Sequence, residues 1–129
     1  MFCDCNNMIY MDLSHFYTRN IINMNHMFYF CHSLTNINLS NFDTEKVINM
    51  NEMFCKCKSL EYLDLSYFKT KKVKIMDKMF YECKSLLRLN LSNFDTKNNN
   101  YMNNMFYKCE LLYKKDIVTR DNKILNSFN

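Results

Sequence analysis

The chain has 129 residues and a formal net charge of +4, with 48% hydrophobic and 23% charged residues. This is the size and composition of one folded domain. No run of about 18 or more apolar residues is present, so the sequence predicts no transmembrane helix. The N-terminal stretch MFCDCNNMIY lacks a basic region followed by a long apolar run, and we predict no secretory signal peptide. Membrane association is therefore expected only through segments absent from this chain.

The chain contains no glycine and no proline. Asn, Lys, Ile, Tyr and Phe are abundant instead, and because their codons are AT-rich we infer an AT-rich genome rather than a functional signal. Positions that need a positive φ must then be filled by Asn or be occupied under strain.

The dominant feature of the sequence is a 26-residue repeat. NLSNFD occurs at 38–43 and at 90–95, and the variant DLSYFK occurs between them at 64–69. No insertion or deletion breaks the register of the recurring positions. Among these positions are Leu13, Leu39, Leu65 and Leu91; Phe16, Phe42, Phe68 and Phe94; Thr18, Thr44, Thr70 and Thr96; Met24, Met50, Met76 and Met102; and Cys31, Cys57, Cys83 and Cys109.

Each repeat has two halves with different periodicity. In SLTNINLS, Leu34, Ile37 and Leu39 have the spacing of a leucine-rich strand, which turns alternate side chains inward. In VINMNEMFCKC, the apolar positions 47, 50, 54 and 57 predict one face of an α-helix, capped by Thr44 or Asp43. Stacked units bury what one unit cannot. The pattern predicts an α/β solenoid, leucine-rich-repeat-like, of 26-residue strand-turn-helix repeats with a parallel sheet on one face.

The repeat pattern also predicts the domain boundaries. Residues 1–117 form about four and a half repeats, and residues 118–129 fit no column and are interpreted as a C-terminal cap or tail. Met1-Phe2 aligns with Met27-Phe28, so the sequence starts in the middle of a repeat. We therefore expect a fragment of a longer array, or a gene model that starts at an internal Met.

The seven cysteines raise the question of disulfide or metal chemistry. Cys5 shares the column of Cys31, Cys57, Cys83 and Cys109, and the alternative to a disulfide or metal ladder is a row of small buried side chains. Helices about 8–10 Å apart would hold the cysteines too far from each other for a disulfide, so we favour the buried row. C-x-C near His26 or His32 matches a zinc site only weakly, and no metal or other cofactor is predicted.

Other candidate features have ordinary structural explanations. His15, His26 and His32 occupy variable columns, so no catalytic residue is predicted. The Met-Phe pairs have the spacing of core residues. The basic run from Lys69 to Lys74 could contact phosphates, but it is better explained as a solvated loop, and no nucleic acid is expected as a partner.

The outward face of the strands is the candidate binding surface. Its side chains are polar or aromatic and vary between repeats, whereas the inward columns do not. Acids alternate with amides at positions 12, 38, 64 and 90, which avoids stacked carboxylates. We predict a protein or glycan ligand on this face, although a merely solvated sheet is the alternative. The predicted residues are Tyr10, Asp12, Asn36, Asn38, Tyr62, Asp64, Arg88 and Asn90.

Segments such as LNLSNFDTKNNNYMNNMFYKCELL and INLSNFDTEKVINMNEMFCKCKSL resemble the repeat of BspA-like leucine-rich-repeat surface proteins and of mycoplasma-type surface lipoproteins, over roughly residues 1–117. The resemblance implies a solenoid, a cell-surface or extracellular role in adhesion or binding, and no catalytic activity. An intracellular, cytoplasmic scaffold for protein partners is the alternative. Family repeats often carry Gly before the Cys, where this chain has Phe30, Lys56, Glu82 and Lys108.

Overall fold

The computed structural model describes residues 1–128 of this small α/β protein. Its first four strands recur at the spacing that the repeat predicts. No helix in these residues has the length and apolar character that crossing a membrane requires. In chain order the elements are β1 (Tyr10–Asp12), β2 (Asn36–Asn38), β3 (Tyr62–Asp64), β4 (Arg88–Asn90), a 3₁₀ turn (Lys114–Asp116), β5 (Ile117–Val118) and α1 (Asn122–Asn126).

The strands pair in parallel and form two small sheets. β1 pairs with β2, and Tyr10 lies opposite Asn36, one repeat further along the chain. β3, β4 and β5 form the second sheet, in which Tyr62 lies opposite Arg88. Strands β2 and β3 are not hydrogen-bonded to each other. The predicted strand positions and their parallel pairing are confirmed, but the predicted single sheet is divided after the second strand.

The inward columns of the sequence form one hydrophobic core. Leu39, Leu65 and Leu91 are buried in the same cluster as the Met-Phe pairs of the second to fourth repeats. Phe28 stacks on Phe54 with the ring centroids 5.2 Å apart, and the same contact recurs in the next repeats at 5.9 Å and 5.7 Å. Equivalent side chains of successive repeats therefore contact each other, because each repeat presents the same apolar surface to the next.

The α-helix predicted in each repeat is wrong. Residues 44–57 and their equivalents form successive turns, and we call this half of each repeat the turn side. Four-residue turns close through hydrogen bonds such as Met53 N to Met50 O, 3.3 Å, and Cys57 N to Phe54 O, 3.1 Å. A helix would instead bond each N–H to the carbonyl four residues earlier. The apolar spacing of three, seven and ten residues is satisfied equally well by these turns, which bury the same side chains.

Backbone hydrogen bonds between repeats explain why the turn side is not helical. Alternate N–H groups donate to a carbonyl of the next repeat, for example Phe28 N to Met53 O, 2.9 Å, and Phe54 N to Met79 O, 2.9 Å. The same pattern runs from the first repeat to the fourth. Amide groups engaged with the next repeat cannot bond within a helix. The turn side is therefore a continuous ladder of paired backbones rather than a layer of packed helices.

Two positions per repeat adopt a positive φ without glycine. One is the third residue of the first turn, as at Glu52 (φ 52°), and the other precedes the cysteine, as at Lys56 (φ 63°). A positive φ at the third residue is the pattern of a type II turn, where Gly or Asn is preferred. Asn occupies one of these positions and other non-glycine residues occupy the rest, and strain at them stays a prediction. In residues 1–128 they are Asp4, His26, Phe30, Glu52, Lys56, Lys78, Glu82, Asn104 and Lys108.

The threonine column joins successive repeats instead of capping helices. Thr44 is buried, and its hydroxyl donates to the carbonyl of Lys69 at 3.1 Å and accepts from the Lys69 N–H at 2.8 Å. Thr18 and Thr70 make the same two contacts with Asp43 and Asp95. The prediction that Thr44 caps a helix is therefore wrong, because no helix follows it and its side chain replaces a missing backbone contact between repeats.

The C-terminal segment continues the stack with a different sequence. Leu89 pairs with Ile117, whereas a strict repeat would place Lys115 opposite it, so the last repeat contains two extra residues. Asp121 accepts hydrogen bonds from the backbone N–H (2.8 Å) and the hydroxyl (2.7 Å) of Thr96, where a following repeat would offer its backbone. The same carboxylate caps α1 through the Lys123 N–H. Asn129, the last residue of the predicted cap or tail, lies outside the described residues.

Candidate binding groove on the strand side

The strands expose two columns of side chains. Each strand buries its middle residue and turns the flanking residues outward, because side chains alternate along a strand. The first column, which we call the open column, contains Tyr10, Asn36, Tyr62 and Arg88. The second, which we call the turn column, contains Asp12, Asn38, Asp64 and Asn90. The open column is exposed as predicted, with 55% of the surface of Tyr62 accessible, whereas in the turn column Asp12 and Asp64 are exposed and Asn38 and Asn90 are only partly exposed.

A groove of about 520 Å³ lies across strands β2 to β5, and we call it the strand groove. It brings together five of the eight predicted residues and leaves Tyr10, Asp12 and Asn38 outside. The groove includes the gap where β2 and β3 are not hydrogen-bonded. Its lining consists of Asn36, Ile37, Tyr62, Leu63, Asp64, Arg88, Leu89, Asn90, Lys115, Asp116 and Val118.

The turn column has a structural role that sequence reasoning missed. The Asp64 carboxylate accepts a hydrogen bond from the Ser66 N–H at 2.9 Å, and Asn90 accepts one from Ser92 at 3.1 Å. Such contacts between a side chain and the backbone two residues later are Asx turns. Asp12 and Asn38 make the same contact in the first two repeats. Asp or Asn therefore recurs in this column to form the corner that follows each strand.

The charge on Asp12 illustrates the same arrangement. The hydrogen bond from the Ser14 backbone lowers the pKa of Asp12, and a weaker contribution comes from the side chain of Asn38 in the next repeat. An amide in the next repeat thus avoids the repulsion that two stacked carboxylates would have. One oxygen of each side chain in this column is therefore already engaged by the backbone.

The open column carries the groups that remain free for a ligand. Arg88 is exposed and belongs to none of the four ion pairs found in residues 1–128. It lies opposite Tyr62 in the strand register, so the guanidinium group and the exposed aromatic ring are neighbours on one surface. Arg and Tyr are the residue types that most often anchor binding interfaces. This pair forms the chemically most distinctive part of the strand groove.

The far end of the groove could not be placed from the repeat. A strict 26-residue repeat assigns Lys114 and Asp116 to the two exposed columns, but Lys114–Asp116 forms the 3₁₀ turn. Because of the two extra residues, Val118 lies opposite Asn90 in the pairing register. Lys115, Asp116 and Val118 therefore line the groove from unexpected positions. The available signal for this change was Lys115, a charged residue in the inward column of Leu63 and Leu89.

Other polar features lie away from the groove. His26 contacts Glu52 at 3.3 Å on the turn side, and Lys69, the first residue of the basic run, contacts Glu45 at 3.1 Å. Within that run Thr70 and Val73 are buried, so the lysines do not form one continuous surface. A second hollow of about 530 Å³ lies beside Asp121, whose carboxylate is already bonded to Thr96 and to the start of α1.

The cysteine column is buried and reduced. Cys31, Cys57, Cys83 and Cys109 are buried, Cys5 is half-buried, and all seven cysteines are free thiols. Each buried thiol of the column donates a hydrogen bond to a phenylalanine carbonyl of the preceding repeat, as Cys57 does to Phe28 at 3.1 Å. The buried row of side chains is therefore confirmed. In residues 1–128, no group of three or more His, Cys, Asp or Glu side chains is placed to hold a metal ion.

Fold and groove together define a class of protein: a small α/β protein of stacked 26-residue repeats with an exposed polar groove across its strands. The chain belongs to the family described as "Mycoplasma protein of unknown function, DUF285", whose model matches residues 1–119. This membership agrees with the mycoplasma-type repeat that the sequence resembles. Comparison with curated proteins and comparison with solved structures give no match.

Proposed function

We propose that the chain is a non-enzymatic binding module that holds a protein or glycan ligand in the strand groove. The observation that carries the proposal is the convergence of Asn36, Tyr62, Asp64, Arg88 and Asn90 on one groove. These residues vary between repeats on an otherwise regular scaffold. A rigid frame with variable exposed side chains is the arrangement that repeat proteins use for binding.

The proposed architecture is a leucine-rich-repeat-type solenoid of the BspA-like kind, with its strands on the binding side. Parallel pairing of equivalent residues in successive repeats and the stacking of their phenylalanines support it. The continuous hydrogen bonding on the turn side supports it as well. In this version of the fold the layer opposite the strands consists of turns. The separation between successive repeats is therefore similar on the strand side and on the turn side.

The proposed place of action is the cell surface, as part of an adhesion or interaction protein. Family membership and the resemblance to surface lipoproteins support this placement. Labelling intact cells of the source organism with a membrane-impermeant amine reagent tests it. Labelling of the full-length product before lysis is the expected result, and labelling only after lysis would contradict a surface location.

An intracellular scaffold for protein partners is the second candidate. It is favoured by the seven free cysteines, because reduced thiols are typical of cytoplasmic proteins. The two candidates use the same groove but differ in compartment and ligand. The labelling experiment separates the compartments, and the binding experiment below separates the ligand classes.

The binding experiment compares two double variants on a glycan array and on a peptide array. Tyr62→Ala with Arg88→Ala removes the exposed pair of the strand groove. Tyr17→Ala with Arg19→Ala removes the same residue types from an exposed corner outside it, where Tyr17 is 98% exposed. We expect the groove variant to lose at least tenfold in affinity, as for one or two anchor residues, and the control to bind like the wild type.

Both double variants must first give the wild-type circular dichroism spectrum, so that lost binding is not lost folding. Glycan binding that depends on the groove supports an adhesin, whereas peptide binding that depends on the groove agrees with both candidates, and the labelling experiment then decides between them. Equal binding by the two variants, on either array, would contradict the strand groove as the site.

A further inference from the structure

The cysteine column has a spacing that the predicted helices would have prevented. Helices about 8–10 Å apart would have kept the cysteines too far from each other for a disulfide. Instead, the backbones beside Cys5 and Cys31 are hydrogen-bonded to each other: Phe2 N donates to Met27 O and Asp4 N donates to Tyr29 O, both at 2.8 Å. Backbones paired in this way lie about 4.8 Å apart. That spacing falls within the range of about 4.4–6.8 Å that a disulfide requires between Cα atoms.

Ring contacts in the same repeats agree with this spacing. Phe2 stacks on Phe28 with the centroids 5.6 Å apart and the ring planes almost parallel. Burial raises the pKa of Cys5, and the neighbouring Cys31 raises it further. Cys5 and Cys31 are thus neighbours in both backbone and side chain.

The hydrogen bonds of the thiols distinguish this pair from the other pairs of the column. Cys31 donates to Phe2 O at 3.0 Å, and Cys57, Cys83 and Cys109 donate to the equivalent carbonyls at 3.0–3.1 Å. Within residues 1–128, Cys5 donates to no carbonyl. Joining Cys5 to Cys31 therefore breaks one such bond, whereas joining two inner cysteines breaks two. Cys5 is also the one member of the column that solvent reaches.

We propose that Cys5 and Cys31 form a modification site at which a small-molecule disulfide installs a disulfide bond between the first two repeats. The thiolate of Cys5 attacks one sulfur of the reagent RSSR, forms the mixed disulfide Cys5–S–S–R and releases one RS⁻. The thiolate of Cys31 then attacks the Cys5 sulfur and displaces the second RS⁻. Two protein thiols are oxidised, RSSR is reduced to two RSH, and the two thiol protons are transferred to the RS⁻ groups.

The positions of the two sulfurs suit these roles, and the raised pKa of Cys5 makes the first step faster at alkaline pH. The first step needs access for the reagent, which half-buried Cys5 offers and buried Cys31 does not. The second step takes place inside the protein and needs a thiolate. The neighbouring Cys57 side chain lowers the pKa of Cys31 to about 7 against the opposing effect of burial, which favours the thiolate that this step needs.

The consequence of the bond is a covalent link that closes a loop of one repeat. Such a loop stabilises the folded chain mainly by restricting the unfolded one. We expect the melting temperature to rise by several degrees on oxidation and to return on reduction. The strand groove lies on strands β2 to β5, away from this link, so binding in the groove is expected to be unchanged.

The experiment treats the full chain with oxidised glutathione, alkylates the remaining thiols and maps the tryptic peptides without reduction. Cleavage after Arg19 and Lys46 puts Cys5 in peptide 1–19 and Cys31 alone in peptide 20–46. Cys3 shares the first peptide and is exposed, so the mapping is done in the Cys3→Ser variant. The expected result is a linked pair of these two peptides, lighter than their sum by two hydrogen atoms.

The Cys5→Ser variant is the decisive control, since it changes a half-buried residue and is expected to fold. It should show no linked pair and no rise in melting temperature. Three outcomes would overturn the proposal: a stable glutathione adduct on Cys5 without a link, complete alkylation of Cys31 after oxidation, or a link in wild-type protein confined to Cys3 and Cys5.

Discussion

The strand side and the turn side of this protein achieve the same stacking in different ways. On the turn side the backbone ladder is continuous from the first repeat to the fourth. On the strand side the ladder is divided between β2 and β3, and the strand groove crosses that division. The comparison teaches that the turn side is sufficient to hold successive repeats in register. The strand side is then free to vary its exposed residues and its pairing.

The largest expected effect is loss of the fold when the shared core is charged. Leu65→Asp places an unpaired carboxylate in the core between the two sides, and we expect it to cost at least about 4 kcal/mol. Thermal melting followed by circular dichroism measures the change. Tyr62→Ala, three residues away on the exposed face, is the control and should leave the melting temperature nearly unchanged. A folded Leu65→Asp variant would contradict the assignment of inward and outward residues.

A smaller effect is expected from the threonine that joins two repeats. Thr44→Val keeps the shape of the side chain but leaves the N–H and C=O of Lys69 without their partner. We expect a loss of about 2 kcal/mol, because two partly buried groups each lose a hydrogen bond worth about 0.5–1.5 kcal/mol. Urea denaturation measures it. Thr35→Val, at an exposed threonine with one contact to Ile9 O, should cost less than about 0.5 kcal/mol. Equal losses would show that the threonine column does not join the repeats.

A gain in stability is expected at a buried amide on the turn side. Asn99 occupies the column of Val47 and Val73, is 3% exposed, and finds no partner for its side-chain oxygen or nitrogen in residues 1–128. Asn99→Val should therefore stabilise the fold by about 1–2 kcal/mol. The same denaturation experiment tests it, with exposed Asn100→Val as the control. Destabilisation by Asn99→Val would mean that the amide has a partner that the core requires.

The smallest effect concerns backbone strain on the turn side. Lys78 has a φ of 53°, which glycine adopts without steric cost. We expect Lys78→Gly to stabilise the protein by about 0.5 kcal/mol, since relief of about 1 kcal/mol of strain is partly offset by the freer unfolded chain. Lys72→Gly, at an exposed lysine without a positive φ, should destabilise it slightly. If both variants lose stability equally, the left-handed conformation at residue 78 carries no strain.

The sequence predicted the repeat, the strands and the inward columns, because these follow directly from the 26-residue recurrence of side-chain types. Leu34, Ile37 and Leu39 are buried as their spacing predicts. It did not predict the turn side, because positions 47, 50, 54 and 57 fit a helix and a series of turns equally well. Backbone N–H groups that donate to the next repeat favour the turns over a helix. The periodicity of the side chains does not reveal these backbone contacts.

For the groove, the sequence predicted which side chains face outward better than it predicted which residues line the groove. Arg88 and Tyr62 are exposed on one surface as expected, and binding at this surface stays a prediction. The role of Asp64 and Asn90 in the corner was missed, although the recurrence of Asp or Asn before Leu-Ser was a signal for an Asx turn. Lys115 and Val118 could not be placed, since two extra residues between Leu112 and Ile117 shift the register there.

The direction of the hydrogen bonds on the turn side gives the molecule an electrical polarity. Along positions 50–56 and their equivalents, the backbone N–H belongs to the earlier repeat and the carbonyl to the later one. These peptide dipoles therefore add along the stack, as they do along a helix, with their positive end towards the C-terminus. Asp121 lies at that end. Burial alone would raise the pKa of Asp121, but hydrogen bonds from Thr96, Lys123 and Ile124 lower it. A carboxylate at this position complements the field that the aligned amides create.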